Sequence, residues 1–346
     1  MKDARKVDED DEPEAETPRR VRVAKKKMKK GAALHRRKDL RAGILVLPAL
    51  ALALTGLVAF DIVMETKILA RVPAAVLASA DRRICTPAVV NASDIAYHGG
   101  HSYYDALKGV TVPVPVFRGE HAKLCDKKRR RTAQYEYCLP VSGRKDAAFC
   151  PAADRMDLLT LRSATSICYA SVLHMLLVEV YEELQARGNI PFLAFGSLLG
   201  AVRNGSMIPF TEDVDIGFVG EMVSVDAVRL ALRKKGYHMF FMDIWRVCVA
   251  PTHPLAGHLY DPNLPVSKTF EVPYVDLYML TQLDNGDWDM EELDGSNGGV
   301  LPYDKVQPFS HASINGMPFD TVKDPHYFLT EAYGDGYMTP KPREEE

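Results

Sequence analysis

Residues 190–218, IPFLAFGSLLGAVRNGSMIPFTEDVDIGF, restrict the fold more than any other part of the chain. An apolar run from Pro191 to Phe195 ends at Gly196-Ser197, and LLGAVR follows. The spacing predicts a buried strand that turns into a helix at this glycine. The free N–H groups of such a helix start attract phosphate. Gly196 has no Cβ to hold a diphosphate away from the backbone, while Ser197 is either the N-cap of the helix or a hydroxyl donor to a phosphate oxygen. After a turn at Asn204-Gly205-Ser206, Ile208-Pro209 leads into Asp213-Val214-Asp215-Ile216. Alternation places Val214 and Ile216 on one face of a strand and both carboxylates on the other. Asp213 and Asp215 so placed suit a hard divalent cation, Mg²⁺ or Mn²⁺. Arg203, on or near the intervening helix, is either a planar fork for phosphate or the ion-pair partner of Glu212 or Asp213.

A second strand carries the same kind of signal. In FEVPYVDLYML, residues 270–280, Asp276 interrupts an apolar run where an unpartnered charge is costly. A metal site supplies a partner, and Asp276 either ligates the ion or takes the proton of an attacking hydroxyl.

A phosphate cradle followed, after one helix and a turn, by paired carboxylates resembles the nucleotidyltransferase fold shared with DNA polymerase beta. The longer string GSLLGAVRNGSMIPFTEDVDIGF is similar to the signature of the LicD/fukutin family. Three departures stand out: Ser197 where the family has Thr, Phe210 where it has Trp, and Thr211-Glu212 where it commonly has two Asp. Towards the end, Phe319-Asp320, Val322-Lys323-Asp324-Pro325 and Tyr333-Gly334-Asp335 resemble the closing pattern of the family, with Tyr337 at a position that is commonly Trp. The resemblance covers about 166–342. It implies an α/β domain with a mixed sheet and a divalent-metal site formed by Asp213, Asp215 and Asp276, with Gly196, Ser197 and Arg203 on the phosphates. The implied reaction moves a phospho-group, such as phosphocholine or ribitol phosphate, from a CDP-linked donor to a hydroxyl of a glycan or glycoprotein, and CMP leaves.

The 346-residue chain has room for one such domain with appended segments, and its net charge of -3 argues against a general nucleic-acid binder. Acidic residues dominate 8–16 and basic ones crowd 19–41; charge blocks of this kind seldom fold. Directly after them, AGILVLPALALALTGLVAF at 42–60 is uncharged. At ~1.5 Å rise per residue it crosses most of a ~30 Å hydrocarbon layer. The charged leader is too long for a cleaved signal peptide. Because Lys and Arg precede this span, residues 1–41 are expected in the cytosol and the remainder in the lumen of the Golgi or endoplasmic reticulum, as a single-pass type II protein.

The six cysteines, Cys85, Cys125, Cys138, Cys150, Cys168 and Cys248, all follow the span, where an oxidising lumen lets them pair. Six thiols allow 15 pairings, so the connectivity stays open. Asn91-Ala92-Ser93 is a glycosylation sequon in the same compartment; Asn204-Gly205-Ser206 is a second, expected unmodified because a glycan there obstructs the site. Residues 61–165 show no sustained period and read as a disulfide-containing stem, its basic run at 127–131 being a solvated charge run. The catalytic domain then spans 166–346. It opens on a helix over 166–188 containing His174, which reads as a core or helix-face residue. Further on come a helix over 221–237 and a strand over 240–250. Cys248, His253 and His258 are spaced so as to suggest a zinc site, but three candidate ligands are too few and an expected disulfide claims Cys248.

Two rivals share these features. A Golgi glycosyltransferase is also type II and uses Asp-x-Asp, but Gly-Ser closely preceding the acidic strand speaks against it. A non-catalytic lumenal regulator of mannosylphosphate transfer needs no carboxylate cluster, and retention of Asp213, Asp215 and Asp276 favours an enzyme.

Overall fold

The computed structural model describes residues 84–125, 138–143, 150, 153–160, 167–266 and 273–340, together with Thr55. The chain divides into the units Met1–Leu77 and Ala78–Glu346. Apart from Thr55, the first unit, including the membrane span expected at 42–60, lies outside the described residues. Among the described residues no helix is long and apolar enough to cross a membrane. The basic run at 127–131 also lies outside them.

The second unit is a mixed α/β structure. Its first part contains the short antiparallel strands β1 (Ile84–Cys85) and β2 (Phe117–Arg118), with helix α1 (Ser102–Gly109) between them. Helix α2 (Tyr169–Ala186) follows, then β3 (Pro191–Leu193), α3 (Phe195–Asn204) and β4 (Asp213–Val219). The strand, helix and strand expected from 190–218 are all present. Helix α4 (Val225–Lys235) ends at Gly236, whose φ of 91° suits glycine, and a Cβ there would stand 2.4 Å from the Cα of His253.

The strand expected over 240–250 is instead a hairpin, β5 (Tyr237–Met242) and β6 (Ile244–Val249). Asp243 turns it with φ 63°, a conformation that Asp tolerates better than most residues, and an apolar pattern on both sides hides so tight a turn. Helix α5 (Ala256–Leu259) and strand β7 (Tyr274–Gln282) follow. The chain continues through β8 (Trp288–Met290), β9 (Val300–Leu301), α6 (Tyr303–Val306), β10 (Ser310–Ile314), β11 (Met317–Thr321) and α7 (Pro325–Tyr333).

Nine strands form one sheet among the described residues, in the order β10-β11-β3-β4-β7-β6-β5, with β8 on β7 and β9 on β8. The pairs β11/β3 and β4/β7 are parallel and the rest antiparallel. Val214, Ile216, Val275, Leu277 and Val247 are fully or almost fully buried, and α2 lies against their strands. The opposite face of β4 and β7 is where the carboxylates stand. Gly217 lies on that face directly across from Phe192, whose ring occupies the space of the missing side chain.

Helix α2 is buried along most of its length because the sheet covers one side and the segment before it covers another. Tyr103, Leu107, Phe117, Leu139 and Leu158 belong to the same apolar cluster as Leu173, Leu177 and Ile216. The described residues between 84 and 160 therefore share a core with the sheet. Val90 donates its N–H to the Thr252 carbonyl at 2.8 Å, and Leu139 donates to that of Val249 at 2.8 Å. The cysteines pair as Cys85–Cys125, Cys138–Cys248 and Cys150–Cys168. The second bond ties residue 138 to β6.

His174 is buried, with Nδ1 3.1 Å from an Asp154 oxygen and 3.3 Å from the Arg155 N–H that donates to it. It is a core residue, as its place on the helix indicates. His253 is likewise buried, 3.1 Å from the Tyr237 hydroxyl, and Cys248 is in a disulfide.

Candidate active site

The site begins at an abrupt turn between β3 and α3. Phe195 has φ 35°, a conformation costing of order 1–3 kcal/mol for a residue with a side chain. Its ring is held between Tyr278 and Phe328, with centroids 4.7 and 5.4 Å away. The turn directs the start of α3 towards β4, and its N-cap residue, Ala194, has no side-chain group to cap the helix. Gly196 donates its N–H to Asp215 Oδ2 at 2.8 Å, and Ser197 Oγ accepts the Asp215 N–H at 2.8 Å. Ser197 thus latches helix to strand through its lone pair, and its own proton remains to be donated elsewhere. A Cβ on Gly196 would stand 2.9 Å from Asp215 Oδ2.

Strand register supplies the rest. In the parallel β4/β7 ladder Asp215 lies beside Asp276 and Asp213 beside Tyr274. Period-two alternation then puts Asp213, Asp215 and Asp276 on one face. One oxygen from each lies within 4.8 Å of the others. Asp213 accepts from Thr211 Oγ1 at 2.7 Å and the Tyr274 hydroxyl at 3.5 Å. Asp276 accepts from Arg246 Nε at 2.7 Å and the Tyr278 hydroxyl at 3.3 Å.

The electrostatics are those of a cation site. Burial raises the Asp215 carboxyl well above the usual range, and the neighbouring Asp213 and Asp276 charges add to this; the N–H groups of Gly196 and Ser197 only partly offset it. Burial pushes Asp276 up to about 6, against the lowering effect of Arg246. The hydroxyls of Tyr274 and Tyr278 are raised too, by burial first and then by these carboxylates. Three crowded carboxylates that repel one another, all offering hard oxygen ligands, fit a divalent cation of the Mg²⁺ or Mn²⁺ kind.

Gly196, Ser197, Asp213, Asp215 and Asp276 are thus brought together. Arg203 stands in the last turn of α3, and its Nε donates to the Tyr337 carbonyl at 2.8 Å, with Nη2 on the same oxygen. This contact, which sequence reading did not anticipate, joins α3 to the closing segment. Thr211, Arg246, Tyr274 and Tyr278 were also not foreseen as part of the site. Arg246 carries the same signal that exposed Asp276: it is a charge in an apolar strand, IWRVCV.

The start of α3 facing a carboxylate cluster on adjacent parallel strands is suited to a divalent cation and a phosphate group, and with the family match the chain is a transferase. Residues 190–321 match the family model described as LicD/FKTN/FKRP, nucleotidyltransferase domain, and this domain belongs to the LicD/fukutin family. No curated protein matches the chain. Among solved structures, ANT(2")-Ia in complex with adenylyl-2"-tobramycin is similar at 13% identity and a TM-score of 0.29, over 49% of this chain and 82% of that one.

Proposed function

We propose that the chain transfers a phospho-group of the phosphocholine or ribitol-phosphate type from a CDP-linked donor to a glycan hydroxyl, and that it does so in the Golgi or endoplasmic reticulum lumen. The observation that carries this reading is the juxtaposition of Asp213, Asp215 and Asp276 beside the start of α3. Family membership supports the reaction class, since the matched domain is a nucleotidyltransferase domain.

In this reading Asp213, Asp215 and Asp276 hold one divalent cation of the Mg²⁺ or Mn²⁺ kind. When bound, the cation supplies charge neutralisation and Lewis acidity at the donor diphosphate. The chain's own residues do the positioning. The Ser197 hydroxyl proton and the dipole at the start of α3 favour the phosphate oxygens, Gly196 keeps the approach open, and its N–H holds Asp215 in place. Arg203 joins them only by exchanging the Tyr337 carbonyl for a phosphate oxygen. The acceptor hydroxyl oxygen attacks the phosphorus bearing the donated group, the bond from that phosphorus to the bridging oxygen breaks, and CMP leaves with the bridging oxygen while the hydroxyl proton passes to its phosphate. Little acid–base chemistry is required, so rate comes from orientation and preorganised charge.

The test is a donor screen. Purified full-length protein with Mn²⁺ or Mg²⁺ and a glycan acceptor is given CDP-choline, CDP-ribitol, CDP-glycerol and sugar nucleotides. Acceptor-dependent CMP release from a CDP-linked donor is expected. Release of UDP or GDP alone makes the chain a glycosyltransferase, and no release from any donor favours a non-catalytic regulator.

A further inference from the structure

Arg246 touches the carboxylate cluster and has no part in the function proposed above. It stands directly across from Asp276 in the β6/β7 ladder. Because the sheet runs β3-β4-β7-β6 and α3 leaves from β3, Arg246 approaches the cluster from the side away from the helix start. Its Nε donates to Asp276 Oδ1 at 2.7 Å, its Nη1 donates to the Met242 carbonyl at 3.2 Å, and its guanidinium carbon lies 5.5 Å from the Tyr274 ring centroid. The other donors described above on the three carboxylates, Thr211, Tyr274, Gly196 and Tyr278, are neutral. Arg246 is therefore the cationic donor among them.

A guanidinium hydrogen-bonded to a carboxylate and a divalent cation ligated by that carboxylate compete, since both draw on the same oxygens and repel each other. A nucleotide diphosphate entering with the cation brings new anionic oxygens to the same place. Arginine's planar fork matches carboxylate and phosphate equally well, which lysine's point charge does not.

We propose that Arg246 is an exchangeable counter-ion. It neutralises Asp276 while the site lacks a cation, and it passes to the phosphate oxygens of the nucleotide when a divalent cation takes that carboxylate. One charge then serves two anions in turn, so cation and nucleotide each tighten the binding of the other, reciprocally. The inference rests on the reading of the three carboxylates as a cation site, and the test separates the two.

Calorimetric titration of the full-length chain with Mn²⁺ alone, with CDP alone, and with CDP at saturating Mn²⁺ measures the coupling without relying on turnover. Arg246→Gln is expected to bind Mn²⁺ alone at least as tightly as wild type, because a competitor has gone. Its affinity for CDP in saturating Mn²⁺ is expected to fall about tenfold or more, the loss of one charge-assisted hydrogen bond. Arg246→Lys should retain the competition and only part of the coupling. Weaker Mn²⁺ binding by Arg246→Gln, with CDP affinity lowered only in proportion, would reduce Arg246 to a prop for Asp276 and overturn the proposal. Unchanged CDP affinity at saturating Mn²⁺ overturns it equally. If circular dichroism shows the Gln variant unfolded, the Lys variant decides, and full wild-type coupling in it is the contrary result. A wild-type protein that binds no Mn²⁺, with or without CDP, overturns the cation site and this inference together.

Discussion

Gly196 and Gly200 lie one helical turn apart on α3 and separate chemistry from folding. A methyl at Gly196 would meet the Asp215 carboxylate, a side chain that can shift, whereas one at Gly200 would stand 2.5 Å from the Ser206 backbone carbonyl, which cannot. Gly196→Ala should therefore lower transfer by at least about tenfold, since a displacement of ~1 Å at a reacting centre can cost more than that, and leave the melting temperature nearly unchanged. Gly200→Ala should destabilise the fold by ~1–3 kcal/mol and leave the activity of the folded fraction largely intact. Thermal melts beside initial rates check both; equal effects on both quantities in the two variants would contradict the assignment. At this scale the sequence was most informative where a residue broke its own strand's pattern. Asp213, Asp215 and Asp276 stood out as charges in apolar alternation. Tyr274 and Tyr278 share the Asp276 face by the same alternation, but their hydroxyls look like ordinary strand aromatics until the β4/β7 register places them over the carboxylates. The strain at Phe195 had no signal at all, because a positive φ in a residue with a bulky side chain is imposed by packing around it.

Among the elements, α2 departs most from what its own sequence implies. Its helical period was legible, but its burial on both sides was not, since the partners come from residues 84–160, which lack a regular period. Burial of that helix brings Glu179 and Glu183 into the core. Glu183 is matched, with Lys235 Nζ and His98 Nε2 each 2.9 Å from Oε2 and Arg187 Nε 2.9 Å from Oε1. Glu179 is fully desolvated, its Oε1 has no hydrogen-bond partner among the described residues, and burial pushes its carboxyl up to about 7 despite nearby Lys235 and Arg155. A carboxyl whose pKa is higher folded than unfolded binds more protons in the native state. Its contribution is therefore fully present below the unfolded value and is lost as pH rises through about 7. Glu183, shifted downward, acts in the opposite sense and at lower pH, where its stabilisation is lost by protonation. Glu179→Gln should thus gain stability relative to wild type as pH rises from about 4.5 to about 7, by at most ~1.4 kcal/mol per unit, and the difference should level off above that. Urea unfolding across this range in the presence of a chelator measures it. A pH-independent difference would mean that Glu179 is already ionised and paired in the fold.

For the whole molecule, the even set of cysteines implied cross-links without saying which, and the fold resolves the choice by placing residue 138 against β6. The Cys138–Cys248 bond spans a sequence separation of 110, against 18 for Cys150–Cys168. In the chain-entropy view the longer loop stabilises more, so replacing both Cys138 and Cys248 by Ser should cost ~2–5 kcal/mol and exceed the loss from the Cys150/Cys168 pair. Chemical denaturation of the two double variants decides between this order and its reverse. The proposed lumenal placement makes a separate prediction. Asn91 is exposed and caps a short 3₁₀ turn, its side-chain oxygen accepting the Ser93 N–H at 3.0 Å. Expression in a eukaryotic cell should give an endoglycosidase-sensitive mass shift that Asn91→Gln removes and Asn204→Gln does not; a shift insensitive to Asn91→Gln would contradict the placement of this sequon. The central claim is that Asp213, Asp215 and Asp276 are crowded together to hold a cation on the donor, and Asp215→Asn measured for both rate and stability tests it most directly. Neutralising this buried carboxylate, flanked by two others, should lower transfer at least about a hundredfold while the melting temperature without divalent ions stays equal or rises. Mn²⁺ and CDP together should stabilise wild type and not the variant. An Asp215→Asn protein that remains active, or that loses activity only because it unfolds, would contradict the account.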